Sequence, residues 1–119
     1  MDETKPQAQP VQLGTELSVL ERLILLNILP KEGDFTTIKL LRKLRENLSF
    51  DEDEHKKLQF VQDGDQVRWN ENVAGNKRIM IGEKQADIIH DTLKKLNDGK
   101  KLTDSHYSLY EKFVVDPIS

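Results

Sequence analysis

The sequence predicts an α+β fold in which N-terminal helices precede a small antiparallel sheet and two C-terminal helices. Apolar residues recur at three- and four-residue spacing in residues 38–48 and 86–96, which is the period of a helix with one buried face. Between these segments, β-favouring residues flank Asp63-Gly64-Asp65, a turn sequence typical of a β-hairpin. Helices and strands that are segregated along the chain favour the α+β class.

Length and composition indicate one domain inside the cell. The 119 residues suit a single compact domain, which we place at residues 15–119. Residues 1–14 contain Pro6 and Pro10 and few apolar side chains, so we expect a flexible N-terminal tail. The chain has no cysteine, which fits a reducing cytoplasm, and its longest apolar run is too short to span a membrane. A formal net charge of −3 disfavours a general phosphate-binding protein.

The first predicted helix is apolar on nearly every side. Ser18 and Glu21 have the spacing of a capping box at its start, and Pro30 and Gly33 end it. A helix of this kind, here residues 19–29, belongs in the middle of a core or in an interface between copies of the chain. A homo-oligomer is therefore one of the arrangements that the sequence allows.

The second helix is predicted to start at Asp34 or Thr36 and to be amphipathic. Its apolar stripe consists of Ile38, Leu41, Leu44 and Leu48. Lys39, Arg42, Lys43 and Arg45 occupy the remaining surface, which is therefore basic. A short third helix should follow, with Ser49 and Glu52 at capping-box spacing and acids in its first turn.

Beyond the hairpin, a candidate third strand at Lys77–Ile81 would extend the sheet to three strands. Gly82 begins the fourth helix, and Gly99 is expected to end it as a left-handed cap. Thr103 or Asp104 then caps a last helix that carries several aromatic side chains.

Motifs that carry chemistry are missing from the sequence. It contains neither a nucleophile elbow nor a phosphate-cradling glycine loop. Asp87, His90 and Asp91 share one face of the fourth helix, but zinc and hard cations need a more complete ligand set. We therefore expect no catalytic residues, no cofactor and no metal site, and interpret the chain as a non-enzymatic protein.

A small set of side chains is predicted to contact a partner. Trp69 is the single tryptophan and follows Arg68, and these residue types concentrate at the energetic centres of interfaces. The alternative for Trp69 is packing of the sheet against the helices. Together with the basic helix, the candidate contact residues for a protein partner or for nucleic acid are Lys39, Arg42, Lys43, Arg68 and Trp69.

A winged-helix-like DNA-binding regulator is the alternative function. The order of helices followed by a hairpin fits that fold, and the basic second helix would then enter the major groove. Two features oppose this alternative. The third helix starts with four acids at residues 51–54, and the hairpin tip carries Asp63 and Asp65, where a DNA-binding wing would need lysine or arginine to contact phosphates. The sequence thus favours a protein partner, of unknown identity, over nucleic acid.

Two segments carry a family resemblance: "LSVLERLILLNILPKEGDFTTIKLLRKLRENLSF" and "KKLTDSHYSLYEKF". Their pattern resembles small uncharacterised proteins encoded by bacteriophages and prophages, over most of the chain after the tail. The resemblance implies a phage accessory or host-interaction protein without catalysis, located in the cytoplasm of a bacterial host. It implies no particular site residues.

Overall fold

The computed structural model describes residues 12–73 and 75–116 and confirms the α+β class. The helices of this part of the chain are α1 (Val19–Ile28), α2 (Phe35–Leu48), α3 (Glu52–Leu58), α4 (Glu83–Asp98) and α5 (Tyr107–Tyr110). The strands are β1 (Gln12–Leu17), β2 (Val61–Asp63), β3 (Gln66–Arg68) and β4 (Lys77–Gly82). A 3₁₀ turn, Asp104–His106, precedes α5 and a π-helical turn, Glu111–Val115, follows it. Residues 104–115 are called the C-terminal segment below.

The strands form two separate antiparallel pairs, β1 with β4 and β2 with β3. The predicted hairpin is therefore present, with Gly64 at φ 65° in its turn, and the predicted strand near residues 77–81 is also present. The expected three-stranded sheet is wrong, because β4 pairs with β1 in a register that places Leu17 opposite Lys77. Since β1 begins at Gln12, residues 12–14 belong to the domain, and the remainder of the predicted tail lies outside the described residues.

One face of the β1–β4 pair closes the core. Thr15 and Leu17 of β1 point inward together with Ile79 and Ile81 of β4, and all four are buried. The helices pack their apolar stripes onto this face. The buried helical residues of the core are Leu25, Leu41, Leu44, Leu48, Ile89, Leu93, Leu109 and Phe113. The periodicity of the second and fourth helices thus predicted the buried faces correctly.

Side-chain caps begin helices α1, α2 and α3, and the cap of α3 differs from the predicted one. The Ser18–Glu21 capping box of α1 is confirmed, and Asp34 caps α2 by accepting from the Thr37 amide at 2.8 Å. The predicted capping box at Ser49 is wrong, because α3 begins with a box formed by Asp51 and Glu54. Ser49 instead ends α2, where its hydroxyl donates to the Arg45 carbonyl at 2.7 Å.

The end of α4 is a Schellman motif whose left-handed residue is Lys100, at φ 57°. The Lys101 amide donates to the Leu96 carbonyl at 2.8 Å, and the Lys100 amide donates to the Asn97 carbonyl at 2.9 Å. Gly99 has φ −86°, so the prediction that it is the left-handed cap is wrong by one residue. The helix continues through Asp98, which moves the cap one position along the chain.

None of the helices in residues 12–73 and 75–116 combines the length and the apolar character that crossing a membrane requires.

Candidate functional site

The exposed side of α2 forms one continuous surface, which we call the α2 face: Phe35, Lys39, Arg42 and Lys43. These residues occur at i, i+4, i+7 and i+8, so they lie on one side of the helix, opposite its buried leucines. Each of them is exposed, and Phe35 is 82% exposed. The α2 face therefore combines an aromatic side chain at one end with three cations along the next two turns.

Two of the three cations of the α2 face have no acidic partner among the described residues. Lys43 lies 3.8 Å from Glu46, and both of these side chains are largely exposed. Among the described residues, no carboxylate lies within 4.0 Å of Lys39 or Arg42. Arg45 differs, because its guanidinium donates to the Pro30 carbonyl and holds the α1–α2 connection. The α2 face thus presents positive charge to solvent.

The core holds α2 in place behind this face. Leu41, Leu44 and Leu48 are fully buried, and the Gln85 side chain of α4 donates to the Leu40 carbonyl at 3.2 Å. At the far end, the Arg22 side chain of α1 donates to the Leu48 carbonyl at 3.1 Å. A surface that rests on a packed helix is positioned more accurately than one on a loop.

Arg22 is fully buried, a feature that the sequence reasoning missed. Its guanidinium donates to both carboxylate oxygens of Glu54, at 2.5 and 3.2 Å, and to the Ser49 carbonyl at 2.6 Å. It also stacks 3.8 Å from the centroid of the Phe50 ring. The sequence signal was a charged pair inside an apolar helix, which predicts buried partners elsewhere in the chain.

Glu54 is held as a carboxylate by this arrangement. Partial burial raises its pKa, but hydrogen bonds from the Arg22 side chain and the Asp51 backbone lower it. The charges of Arg22 and Lys77 add to this effect, and the pKa falls to about 2. Lys77 Nζ lies 3.6 Å from carboxylate oxygens of both Glu54 and Asp51.

Glu21, next to Arg22 in α1, binds the C-terminal segment. Its carboxylate accepts from the Ser108 hydroxyl at 2.6 Å and from Lys112 Nζ at 2.8 Å. Lys112 also donates to the Glu16 carbonyl of β1 at 2.8 Å. Burial raises the pKa of Glu21, but the bonds from Lys112, Ser108 and the Ser18 backbone give a net lowering. The charged groups of Glu21 and Lys112 therefore bind one another and hold the C-terminal segment to α1 and β1.

The hairpin is exposed along its whole length, residues 61–68. Arg68, a predicted contact residue, is paired with Asp63 at 3.0 Å across the two strands. Trp69, the other predicted contact residue of this region, is half-buried with its ring centroid 6.3 Å from that of Phe60. Phe60 in turn contacts Phe50 at 4.8 Å, so Trp69 is part of an aromatic cluster at the hairpin base.

The predicted contact residues therefore fall into two groups. Lys39, Arg42 and Lys43 share the α2 face, whereas Arg68 and Trp69 lie at the hairpin. Within the described part of the chain, no hydrogen bond or ion pair joins the two groups. Arg68 is neutralised and Trp69 is packed, so the α2 face is the stronger candidate.

The edges of the β1–β4 sheet are partly blocked. Carbonyl groups that face away from the partner strand accept bonds from side chains: Gly14 from Arg78, and Met80 from Asn47 at 3.1 Å. Lys112 binds the Glu16 carbonyl on the same outer edge of β1 as Gly14. Side-chain donors on an edge disfavour the addition of another strand.

An open groove of about 380 Å³ runs between the end of α2 and β4, and its walls include Phe50, Asp51, Lys77 and Met80. Two of its charged groups, Lys77 and Asp51, are paired with one another, and a third, Arg78, donates to the Gly14 carbonyl. In residues 12–73 and 75–116, no group of three or more histidine and acidic side chains is arranged to hold a metal ion. The α2 face therefore remains the candidate site.

A comparison of the chain with protein-family models, with curated proteins and with solved structures finds no match. The resemblance to phage and prophage proteins stays a prediction.

Proposed function

We propose that the chain is a non-enzymatic module that binds a protein partner through the α2 face. The observation that carries the proposal is Phe35, which is 82% exposed on the same side of α2 as Lys39 and Arg42. Aromatic residues and arginine are enriched at protein interfaces, whose rim is polar. Phe35 and Arg42 of the α2 face are of the enriched types.

The fold itself gains little from an aromatic side chain at position 35. Phe35 occupies the first turn of α2 and lies outside the buried cluster, whereas the leucines behind it supply the contacts with the core. Burying a phenylalanine side chain fully is worth about 1.5–3 kcal/mol. A partner that covers Phe35 obtains that free energy, which the isolated domain leaves unused.

In the cell, this module is an accessory protein of a phage or prophage that acts on a protein in the cytoplasm of its host. The two quoted segments that resemble phage proteins support this placement. Lys39 and Arg42 have no carboxylate within 4.0 Å among the described residues, which supports a partner of opposite charge over a purely apolar one.

Affinity capture from a bacterial lysate, followed by calorimetry with the purified captured protein, tests the proposal. Phe35→Ser combined with Arg42→Glu should weaken binding by at least about tenfold, because both changes fall at the expected centre of the interface. Lys101→Glu is the matched control, since it reverses an exposed charge beyond the far end of α4. Equal affinities for the double variant and the wild type would overturn the proposal.

The winged-helix-like DNA-binding regulator is the second candidate, and the exposed cations of α2 are the observation that favours it. A phosphate backbone at this helix would also approach acids, because α3 opens with Glu52, Asp53 and Glu54, and Asp65 sits at the hairpin turn. Arg68, the cation of the hairpin, is already paired with Asp63.

We predict that the protein binds random duplex DNA no more tightly than about 1 μM at physiological salt, the range of non-specific binding. Fluorescence anisotropy with labelled duplex measures this affinity in the wild type and in the triple variant Lys39→Glu, Arg42→Glu and Lys43→Glu. Submicromolar binding that the triple variant loses while its circular dichroism is unchanged would place the DNA-binding regulator first.

A further inference from the structure

We infer that the partner of the α2 face is an acidic amphipathic helix, with carboxylates placed beside apolar side chains. This inference rests on the proposed function and specifies its partner. Its basis is charge complementarity combined with the position of Phe35 at one end of a row of cations. The partner needs apolar contact at one point and negative charge along the next two turns.

The distribution of charge selects an acidic partner. Helix α2 contains four basic residues and one acidic residue, whereas the whole chain has a net charge of −3. An acidic partner is therefore attracted by α2 and repelled by the acidic remainder of the molecule. Opposed fields of this kind orient a partner during its approach and raise the association rate.

The spacing of the α2 face matches the repeat of a partner helix that packs alongside it. At a rise of about 1.5 Å per residue, Lys39 and Arg42 lie roughly 6 and 10 Å along the helix axis from Phe35. A partner helix repeats side chains on one side at the same spacing, at i, i+4 and i+7. Apolar residues on its first turn and carboxylates on the next two then face Phe35, Lys39 and Arg42 in turn.

The charged contacts and the apolar contact should affect different rate constants of binding. Long-range attraction by Lys39 and Arg42 acts mainly on the association rate and is screened by salt. Contact with Phe35 is short-ranged and apolar, so its removal should mainly raise the dissociation rate. A duplex nucleic acid would depend on the same cations but would not require an aromatic side chain.

The test is an NMR titration of the ¹⁵N-labelled full chain with a synthetic 15-residue peptide. The peptide carries leucines on its first turn and glutamates on the next two turns of the same face, and a charge-reversed peptide has lysines in place of the glutamates. We expect the acidic peptide to shift α2 amide signals and to bind at least about fivefold more weakly when salt rises from about 50 to 300 mM. The lysine peptide should leave α2 signals unchanged.

Three variants make the expected result specific. Phe35→Ser should weaken binding of the acidic peptide and retain its salt dependence. Lys39→Glu with Arg42→Glu should remove most of that dependence, and Lys101→Glu should change neither. Equal binding of both peptides, shifts confined to signals outside α2, or tighter binding of random duplex DNA would each overturn the inference.

The outcome also separates this inference from the proposed function. If a captured protein binds the α2 face through a neutral or basic surface, the proposed function stands and the acidic helix is wrong. If Phe35→Ser combined with Arg42→Glu leaves binding of every captured protein unchanged, both are wrong.

Discussion

Arg22 connects three parts of the chain through one side chain. Its planar guanidinium donates to the Leu48 and Ser49 carbonyls at the end of α2 and to both oxygens of Glu54 in α3. The two carbonyls belong to the helix end, where backbone acceptors lack partners within the helix. A cation at that position also interacts favourably with the helix dipole.

We predict that Arg22→Lys destabilises the fold by about 2–4 kcal/mol, although it keeps the charge. An ammonium group cannot reproduce the planar fork, so at least one carbonyl and one carboxylate oxygen lose their donor. Urea unfolding measures the effect. Lys43→Met, which removes an exposed ion pair, is the control and should change stability by less than about 0.5 kcal/mol. If Arg22→Lys lowers the free energy of unfolding as little as the control does, the hydrogen bonds of the buried guanidinium do not stabilise the fold.

Because the pKa of Glu54 is lowered in the folded state, the free energy of unfolding depends on pH. Its carboxylate is stabilised in the folded state, where its pKa is about 2, relative to an ordinary value of 4.5. The stabilisation is therefore complete above about pH 4.5 and is lost as the pH falls towards 2. One proton accounts for at most about 1.4 kcal/mol per pH unit.

We expect the urea midpoint to fall steadily between pH 4.5 and 2, and the Glu54 carboxyl signal in NMR to titrate near 2. Glu54→Gln should be less stable at pH 6 and less sensitive to acid. It should retain some sensitivity, because the pKa values of Glu21 and Asp34 are also lowered. A carboxyl signal that titrates near 4.5 would show that the Arg22 bond does not form in solution.

The partners of the buried Glu21 and Arg22 side chains were not predictable from the neighbouring sequence. Their partners are Lys112 and Glu54, which are 91 and 32 residues distant in sequence. An isolated charge in an apolar helix shows that a partner is needed, but it does not say which residue supplies it. The exposure of Phe35 was missed although the periodicity of α2 gave the signal: position 35 lies opposite the predicted apolar stripe.

At the scale of the elements, the left-handed residue that follows α4 is a lysine instead of the usual glycine. Lys100 adopts φ 57°, a left-handed conformation that glycine enters at lower cost, while the adjacent Gly99 has φ −86°. Steric strain of a side chain in that region is about 1 kcal/mol.

We predict that Lys100→Gly stabilises the protein by about 0.5–1 kcal/mol, because the strain disappears and the two cap hydrogen bonds remain. Gly99→Ala is the matched comparison and should be close to neutral, since its φ suits any residue and the added methyl meets only ordinary contacts. Thermal melts of both variants measure the difference. If Gly99→Ala proves the more harmful of the two, the left-handed residue is not Lys100.

Local patterns predicted some elements and missed others. The stripes of α2 and α4 repeat over three or more turns, so their buried leucines and isoleucines could be assigned from periodicity alone. Strand β1 has only six residues, "QLGTEL", with a glycine at its third position. Its partner β4 begins 60 residues after β1 ends, and such pairing leaves no local signature.

At the scale of the molecule, the C-terminal segment belongs to the same core as β1 and α1. Leu109 is fully buried and Phe113 is 6% exposed, and both pack in the cluster that contains Leu17 and Leu25. The Glu21–Lys112 pair holds this segment to α1 from the polar side. The domain should therefore unfold as one unit.

We predict that Phe113→Ala lowers the free energy of unfolding by about 3–5 kcal/mol, the usual cost of emptying a buried phenylalanine site. Urea transitions followed by Trp69 fluorescence and by far-ultraviolet circular dichroism should coincide in the wild type and in the variant. Trp69 reports on the hairpin base, which lies outside the segment that is changed. A variant whose fluorescence transition is unmoved would mean that the C-terminal segment unfolds separately.

The exposed hairpin offers a position at which the chain can be lengthened without disturbing its interior. Both strands face solvent, and the turn at Gly64 has open space around its α-carbon. Lengthening a flexible surface loop costs little entropy. An epitope or a fluorophore inserted between Gly64 and Asp65 would anchor or report on the protein through a part that the core does not use, with both chain ends and the α2 face left unmodified.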